Sequence, residues 1–403
     1  ISLAKSGRQF FGDDYSQSIS TRTYLNKLDG RISSQPINYK FRFINASDQG
    51  ATLNVSENST TIFSKFLAGY STSYTFGKAY IETTLFNGVL TDNRSALKFN
   101  FNPSSVSTIG YLDYFEIAYE RELKSFNNNI IFFSIDTTAV IEYYLYGFPS
   151  TNIRVFDITE FDNVKLVTDH VVLSGGDCRF RAIESKDSTT KYIAVGNDNF
   201  LTPIDPVVVE NSNLRGISDG TKFIIISHEE FLEQAERLKT YRENEAQIPL
   251  STTVVNVETI YNEFSGGILD VSAIRDFLKY AFENWQTKPE YFLLFGKGTY
   301  DYKDVEGFSD NFVPTWQTEE SLQLIFGKDS YTSDDFFARL DGADLIPDLA
   351  FGRITSRNKT EAKNYIDKII YYENSSEKGI WRNLITLIAD DGFTSTSYEG
   401  SLH

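Results

Sequence analysis

The densest chemistry in the chain lies between Tyr291 and Arg353. Asp301, Asp304, Asp334, Asp335, Asp341, Asp344 and Asp348 crowd there among Tyr300, Tyr302, Trp316, Tyr331, Phe336 and Phe337, between short apolar runs. Carboxylate oxygens suit a hard cation, and Asp301, Asp304, Asp334 and Asp335 form a candidate calcium set. Aspartates also cap turns in water, and no EF-hand spacing chooses between the two readings. A second acidic pair, Asp390 and Asp391, follows the apolar run at residues 384–389. A carboxylate at the end of a buried strand can orient a catalytic imidazole carried by a neighbouring loop. It can also cap the next turn.

The three histidines, His170, His228 and His403, are isolated, and none has a second His or Cys at metal-ligand spacing, which argues against a transition-metal centre. Cys178 is the only cysteine, so no disulfide forms within the chain. A lone thiol invites a nucleophilic reading, but a catalytic thiol needs a base and electropositive surroundings. In the run DCRFRAI, Cys178, Phe180 and Ala182 alternate with Arg179 and Arg181 as on a half-buried strand, the pattern of a packing residue. Gly296, Lys297 and Gly298 resemble a fragment of a phosphate loop but lack its full Gly-x-x-x-x-Gly-Lys-Ser/Thr spacing. The residue types alone name no nucleophile.

The elements that must position these groups follow from periodicity. From Ile1 to about Phe200 the period is two: Tyr39, Phe41 and Phe43 alternate with Lys40 and Arg42, and Leu97, Phe99 and Phe101 with Lys98 and Asn100. Residues 130–135 and 140–145 are longer apolar runs, and clusters such as NASDQG and NNN mark turns. The expectation is an all-β, sandwich-like region of one or two antiparallel modules. Pro203 and Pro206 restrict the chain that follows, and the pattern changes after Arg215 and Gly216. This divides the chain into a β-rich region, residues 1–204, and an α/β domain, residues 205–403.

In the second part strands are expected at residues 223–226, 253–257, 291–295, 349–354 and 384–389. Between them lie amphipathic helices. One carries Phe231, Leu232, Ala235, Leu238 and Tyr241 on a single face; another begins at Asp270 and places Val271, Ile274, Phe277, Leu278, Ala281, Phe282 and Trp285 at helical spacing. A third opens with Asn358 and Glu361, read as a capping box, and buries Ala362, Tyr365, Ile366, Ile369 and Ile370. Strands alternating with such helices imply right-handed crossovers and a parallel, doubly wound sheet.

Composition narrows the function classes. With 403 residues and 41% hydrophobic content the chain can bury large cores, in two or three domains. Its 55 acidic and 38 basic residues give a formal charge of −17, which disfavours nucleic acid or an anionic membrane as partner. No run approaches the roughly 20 apolar residues that span a bilayer. Beginning at Ile1 without a basic-then-apolar signal segment, the chain is expected to be a mature or trimmed fragment. Abundant Phe and Tyr, with Asn, Ser and Thr filling the first half, is a composition commoner in secreted or surface β proteins.

The α/β half also carries long signatures. The collinear runs VVNVETIYNEFSGG, DVSAIRDFLKYAF, YFLLFGKGTYDYK, NFVPTWQTEESL, SYTSDDFFARLDG, DLAFGRI, EAKNYIDKIIYYE and WRNLITLIADDG resemble the gingipain-type cysteine peptidases. They are most similar to the branch that serves as the sortase of the Bacteroidetes type IX secretion system. YLDYFEIAYERELK and VFDIT in the β-rich half are similar to the region before the peptidase domain in that branch. The resemblance implies a caspase-like α/β domain of two consecutive subdomains, this chain holding the first. It places a Cys-His dyad in the second subdomain, with the His in a Tyr-x-Gly-His-Gly motif; neither motif occurs here, so the fragment by itself is expected to be inactive. By the same resemblance Asp391 stands where gingipains carry the acid that orients the catalytic His, with Asp replacing Glu. Lys297 departs from the Gly-Asp-Gly common in the branch.

The implied function is that of a cysteine endopeptidase, extracellular or associated with the outer membrane of a Gram-negative cell, that cleaves C-terminal sorting signals from exported proteins. Those proteins and other secretion-system components are the implied partners; no cofactor is implied, calcium at the aspartates excepted. An alternative of another class is a surface adhesion or secretion-complex scaffold protein that kept the fold without the chemistry.

Overall fold

Alternation of apolar and polar residues builds the first half. In the strand Ile37–Asn45, Tyr39, Phe41 and Phe43 are buried while Lys40 is exposed, and Leu97, Phe99 and Phe101 of Arg94–Pro103 bury the opposite wall. A computed structural model describes residues 1–70, 74–90, 92–197, 200–307, 310–324, 330–342, 344–377 and 379–386. In it these strands belong to two antiparallel four-stranded sheets. One has the order Asp14–Tyr15, Gly110–Tyr119, Ile37–Asn45, Lys78–Phe86; the other Thr21–Lys27, Arg94–Pro103, Ala51–Glu57, Thr60–Leu67. Their inner faces share one aromatic core, where Phe41 meets Phe63 and Phe99 edge-on at centroid distances of 5.2 and 5.3 Å, the arrangement that ring quadrupoles favour.

A second sandwich follows. Ala139–Leu145, Asp177–Glu184 and His170–Leu173 form one sheet; Lys165–Leu166, Ile153–Asp157, Lys191–Gly196 and Asn129–Phe133 form the other. The β-rich half is therefore two modules, and each buries a glutamate. Glu57 accepts from the Tyr39 hydroxyl (2.7 Å), the Ser95 hydroxyl (2.6 Å) and the Ala96 backbone N–H (2.7 Å). Glu184 accepts from the hydroxyls of Tyr143, Tyr192 and Thr190, each at 2.9 Å. A carboxylate survives in a core only when such donors replace its water.

The rule changes at Phe223. Every residue of Phe223–Ser227 is buried, as a strand covered on both faces must be. It pairs in parallel with Thr252–Asn256 on one side and Tyr291–Phe295 on the other, and Tyr291–Phe295 pairs with Ala350–Ile354. The chain steps outward from its first parallel strand and then crosses back over it. The switch point lies where Ser227 and Phe295 stand in register, the place at which open α/β sheets form clefts.

Helices α1 (Leu232–Asn244), α2 (Val257–Phe264), α3 (Val271–Asn284), α4 (Asp335–Ala338) and α5 (Lys359–Asn374) cover both faces. Ile260, Ile274, Phe277 and Leu278 of α2 and α3 share a core with Ile224, Ile226, Phe292 and Leu294. On the other face Ala235, Leu238, Ala362 and Ile366 of α1 and α5 join Ile225, Phe295 and Ile354. The sheet is doubly wound. The Asn358 side chain accepts from the Glu361 N–H at 2.9 Å, as the capping box requires, while Glu361 reaches back to the Arg357 N–H at 3.0 Å, one residue beyond the cap.

Three details differ from the sequence expectation, the first being Tyr365, which was expected to be buried on α5 and is exposed. Val257, expected to end a strand, opens α2, because the Asn256 side chain caps the helix by accepting from Glu258 N–H at 3.1 Å. Residues 384–386 show no regular structure after the short 3-10 helix Ile380–Asn383, and the rest of the strand expected at 384–389 lies outside the described residues.

The chain divides into two units, Ile1–Glu210 with Gln317–Thr332, and Asn211–Trp316 with Ser333–His403. The excursion Gln317–Thr332 is built into the β unit: Arg8 N–H donates to Thr318 O at 3.0 Å, Phe76 N–H donates to Leu322 O at 2.7 Å, and Leu322 is buried with Phe11 and Ile44. Among the described residues no helix is long and apolar enough to cross a membrane.

Candidate functional site

The loops leaving the C-terminal ends of the parallel strands carry the candidate chemistry. At the end of the central strand the Ser227 hydroxyl donates to His228 O at 3.0 Å, and His228 Nδ1 accepts from Glu230 N–H at 3.2 Å, capping the short turn before α1. The His228 ring also packs edge-on against Phe312 at 5.0 Å. His228 is thus held as a cap and a packing group.

The neighbouring strand ends on Gly296, whose φ of +148° and the 2.9 Å separation between a Cβ built there and Phe312 Cβ leave no room for a side chain. Lys297 follows, ion-paired with Asp310, and its N–H donates to Ser356 O at 3.0 Å, tying this loop to the one after Ala350–Ile354. Among the described residues no helix follows before α4, so the Gly296 to Gly298 turn lacks the helix N-terminus on which a phosphate loop depends.

Behind the loops sits Arg353. Its Nε and Nη2 donate to the two oxygens of Asp334 at 2.7 and 2.8 Å, Nη1 donates to Gly296 O at 2.8 Å and Val313 O at 2.6 Å, and Nη2 also donates to Pro314 O at 3.0 Å. Every N–H of the guanidinium has a partner. Thr315 adds a hydroxyl to Asp334 at 3.0 Å.

The remaining aspartates are held just as locally. Asp301, 1% exposed, accepts from the N–H groups of Val305 and Glu306 at 2.8 and 2.7 Å. In the same loop Tyr300 donates to Glu306 at 2.7 Å, and burial, reinforced by that carboxylate, pushes its hydroxyl up to about 12. Asp335 pairs with Arg339 at 3.2 Å. Asp348 accepts from the N–H groups of Asp341 and Leu340 at 2.9 and 2.7 Å, which hold its carboxyl below the usual range. The candidate calcium set of Asp301, Asp304, Asp334 and Asp335 is not gathered into one cluster. Among the described residues no three His, Cys, Asp or Glu side chains meet where a metal ion could sit.

Cys178 is fully buried in the strand Asp177–Glu184, opposite Leu145, and burial pushes its thiol up to about 11. That is the wrong direction for a nucleophile. The His170 ring nitrogens lie 2.9 Å from Val167 O and 3.1 Å from Ile153 O, within the same β module. Asp390, Asp391 and His403 lie outside the described residues.

The strand ends and the first turns of α5 enclose a groove of about 760 Å³ whose walls include Lys297, Thr355, Arg357, Glu361, Asn364 and Lys368. Arg357 is paired with Glu361 at 2.9 Å, and this pairing holds the Glu361 carboxyl below its ordinary value. Sequence reasoning passed over the groove. Its signal was the helical spacing of Glu361, Asn364 and Lys368 on the polar side of α5.

Comparison with known proteins identifies the α/β half. The sequence model of peptidase family C25 matches residues 217–403. In structure the chain is similar to the dimeric latent PorU from Porphyromonas gingivalis, with a TM-score of 0.82 and 26% identity over 95% of this chain and 38% of that one. The Arg-specific cysteine proteinase gingipain R is 20% identical over 40% of this chain and 30% of that one, with a TM-score of 0.27. No curated protein matches the chain. This chain spans 38% of the length of the PorU chain. The family match runs through the α/β half, residues 217–403, and the PorU fold is shared by nearly all of the chain, so this half is similar to the peptidases of family C25.

Proposed function

We propose that the chain forms the N-terminal β region and the first caspase-like subdomain of a cysteine endopeptidase, and that the whole protein acts as a type IX secretion sortase. The observation that carries this reading is the likeness to PorU over 95% of the chain. The buried, proton-retaining Cys178 is unsuited to attack a peptide, so the nucleophile and its His are assigned to a following subdomain. There a thiolate would attack the scissile carbonyl, and the imidazole would hold the proton and deliver it to the leaving amine before water releases the acyl group. Asp391 is assigned the task of orienting that imidazole and stabilising its charged form. The substrates are exported proteins carrying C-terminal sorting signals, the partners other secretion components, and the location is the outer surface of a Gram-negative cell.

The test is turnover by the whole protein on an exported protein that retains its C-terminal signal. Loss of the signal, abolished by thiol alkylation, retained in Cys178→Ala and much reduced in Asp391→Asn at unchanged thermal stability, is the expected result. Cleavage that survives alkylation, or a folded protein that leaves the signal in place, would overturn the reading.

A further inference from the structure

We propose that the groove between the strand ends and α5 binds an acidic segment of polypeptide. That the ligand is a polypeptide rests on the peptidase reading above; its charge follows from the groove itself.

The volume, about 760 Å³, falls within the roughly 300–1,000 Å³ of ordinary ligand sites. Its walls present three cations, Lys297, Arg357 and Lys368, with the Asn364 amide and the Thr355 hydroxyl between them. Two carboxylates face these cations, and each is already engaged. Asp310 is paired with Lys297, and Glu361 with Arg357 through both its side chain and its N–H. On α5, Asp367 is taken by Lys363 and Arg237. Among the described residues Lys368 enters no ion pair, so the groove keeps an unneutralised cation and spare donors.

That excess stands out in a chain of formal charge −17. An acidic ligand is repelled by most of this surface and is accepted where the sign reverses, the arrangement that gives specificity and steering more than raw affinity. The spacing of the donors favours a chain over a single small anion. Glu361 to Lys368 covers about 10 Å of helix rise and Arg357 precedes the helix, so the backbone positions of the groove's polar residues are spread along its length. An extended peptide repeats its side chains on one face about every 7 Å, which lets successive carboxylates meet successive cations.

The experiment is fluorescence anisotropy on the 403-residue chain at low salt, with a fluorescein-labelled peptide of alternating Glu and Gly and its Gln counterpart. The acidic peptide is expected to bind at least about tenfold more tightly than the neutral one, and Lys368→Glu to weaken it about tenfold without changing the melting temperature. Binding should weaken as salt shortens the screening length. Equal binding of the two peptides, unchanged affinity in Lys368→Glu, or displacement of the peptide by inorganic phosphate at low millimolar concentration would each overturn the proposal, the last by revealing a small-anion site. Binding is read without turnover, so its failure leaves the endopeptidase reading to be decided by cleavage in the whole protein.

Discussion

Arg353 and Asp334 hold each other through two hydrogen bonds of 2.7 and 2.8 Å, and the pair closes the neck of the excursion Gln317–Thr332. Val313 and Pro314, just before the excursion, lend their carbonyls to Arg353, and Asp334, just after it, supplies the carboxylate. The strand Ala350–Ile354 thereby ties together the residues that flank the excursion within the α/β unit. Since the same guanidinium also holds Gly296 O, the groove wall and the neck share one anchor.

Breaking this pair should be costly, because the side chains are only 11% and 18% exposed and the survivor would be left charged without its partner. Arg353→Met and Asp334→Leu are each expected to lose about 3 kcal/mol in urea unfolding, with the double variant losing less than their sum. Additive losses, or losses no larger than those of an exposed ion pair, would show that the clamp contributes little.

Glu184 offers an independent test in the second β module. Glu184→Ala strands the hydroxyls of Tyr143, Tyr192 and Thr190 in the core and should cost about 2–3 kcal/mol, whereas Glu184→Gln, which keeps the shape and one acceptor, should cost about half of that. Thermal melts followed by circular dichroism decide it. An alanine variant melting with the parent would mean that the hydroxyls find other partners.

The pH dependence of stability has a definite sign at Asp348. The N–H groups of Asp341 and Leu340 depress its folded-state value, so the folded protein keeps the carboxylate where the unfolded chain would bind a proton. The stabilisation is present at neutral pH and is lost as pH falls through the acid range below about 4. Asp348→Asn should therefore flatten the fall in melting temperature between neutral and acid pH. An identical pH profile for the variant would remove Asp348 from the account.

The sequence made legible what periodicity controls. Phe277, Leu278 and Ala281 announced α3, and the apolar run Phe223 to Ile226 announced a buried strand, because burial at fixed spacing is a local property. The start of α2 was obscured, since Val254, Val255 and Val257 read as one β-branched run and only the capping bond of Asn256 separates strand from helix. The clamp of Arg353, the docking of Leu322 beside Phe11 and Ile44, and the approach of Lys297 to the polar side of α5 were not legible. Each depends on residues far apart in the chain, which no local pattern brings together.

The central claim, that this chain belongs to a cysteine peptidase whose nucleophile is not Cys178, is tested most directly by labelling the whole folded protein with a thiol-reactive peptide probe and locating the label by mass spectrometry. The account predicts a single modified cysteine beyond residue 403, with Cys178 unmodified under native conditions and reactive only after denaturation. Modification of Cys178 in the folded protein, with loss of peptidase activity in step, would contradict it.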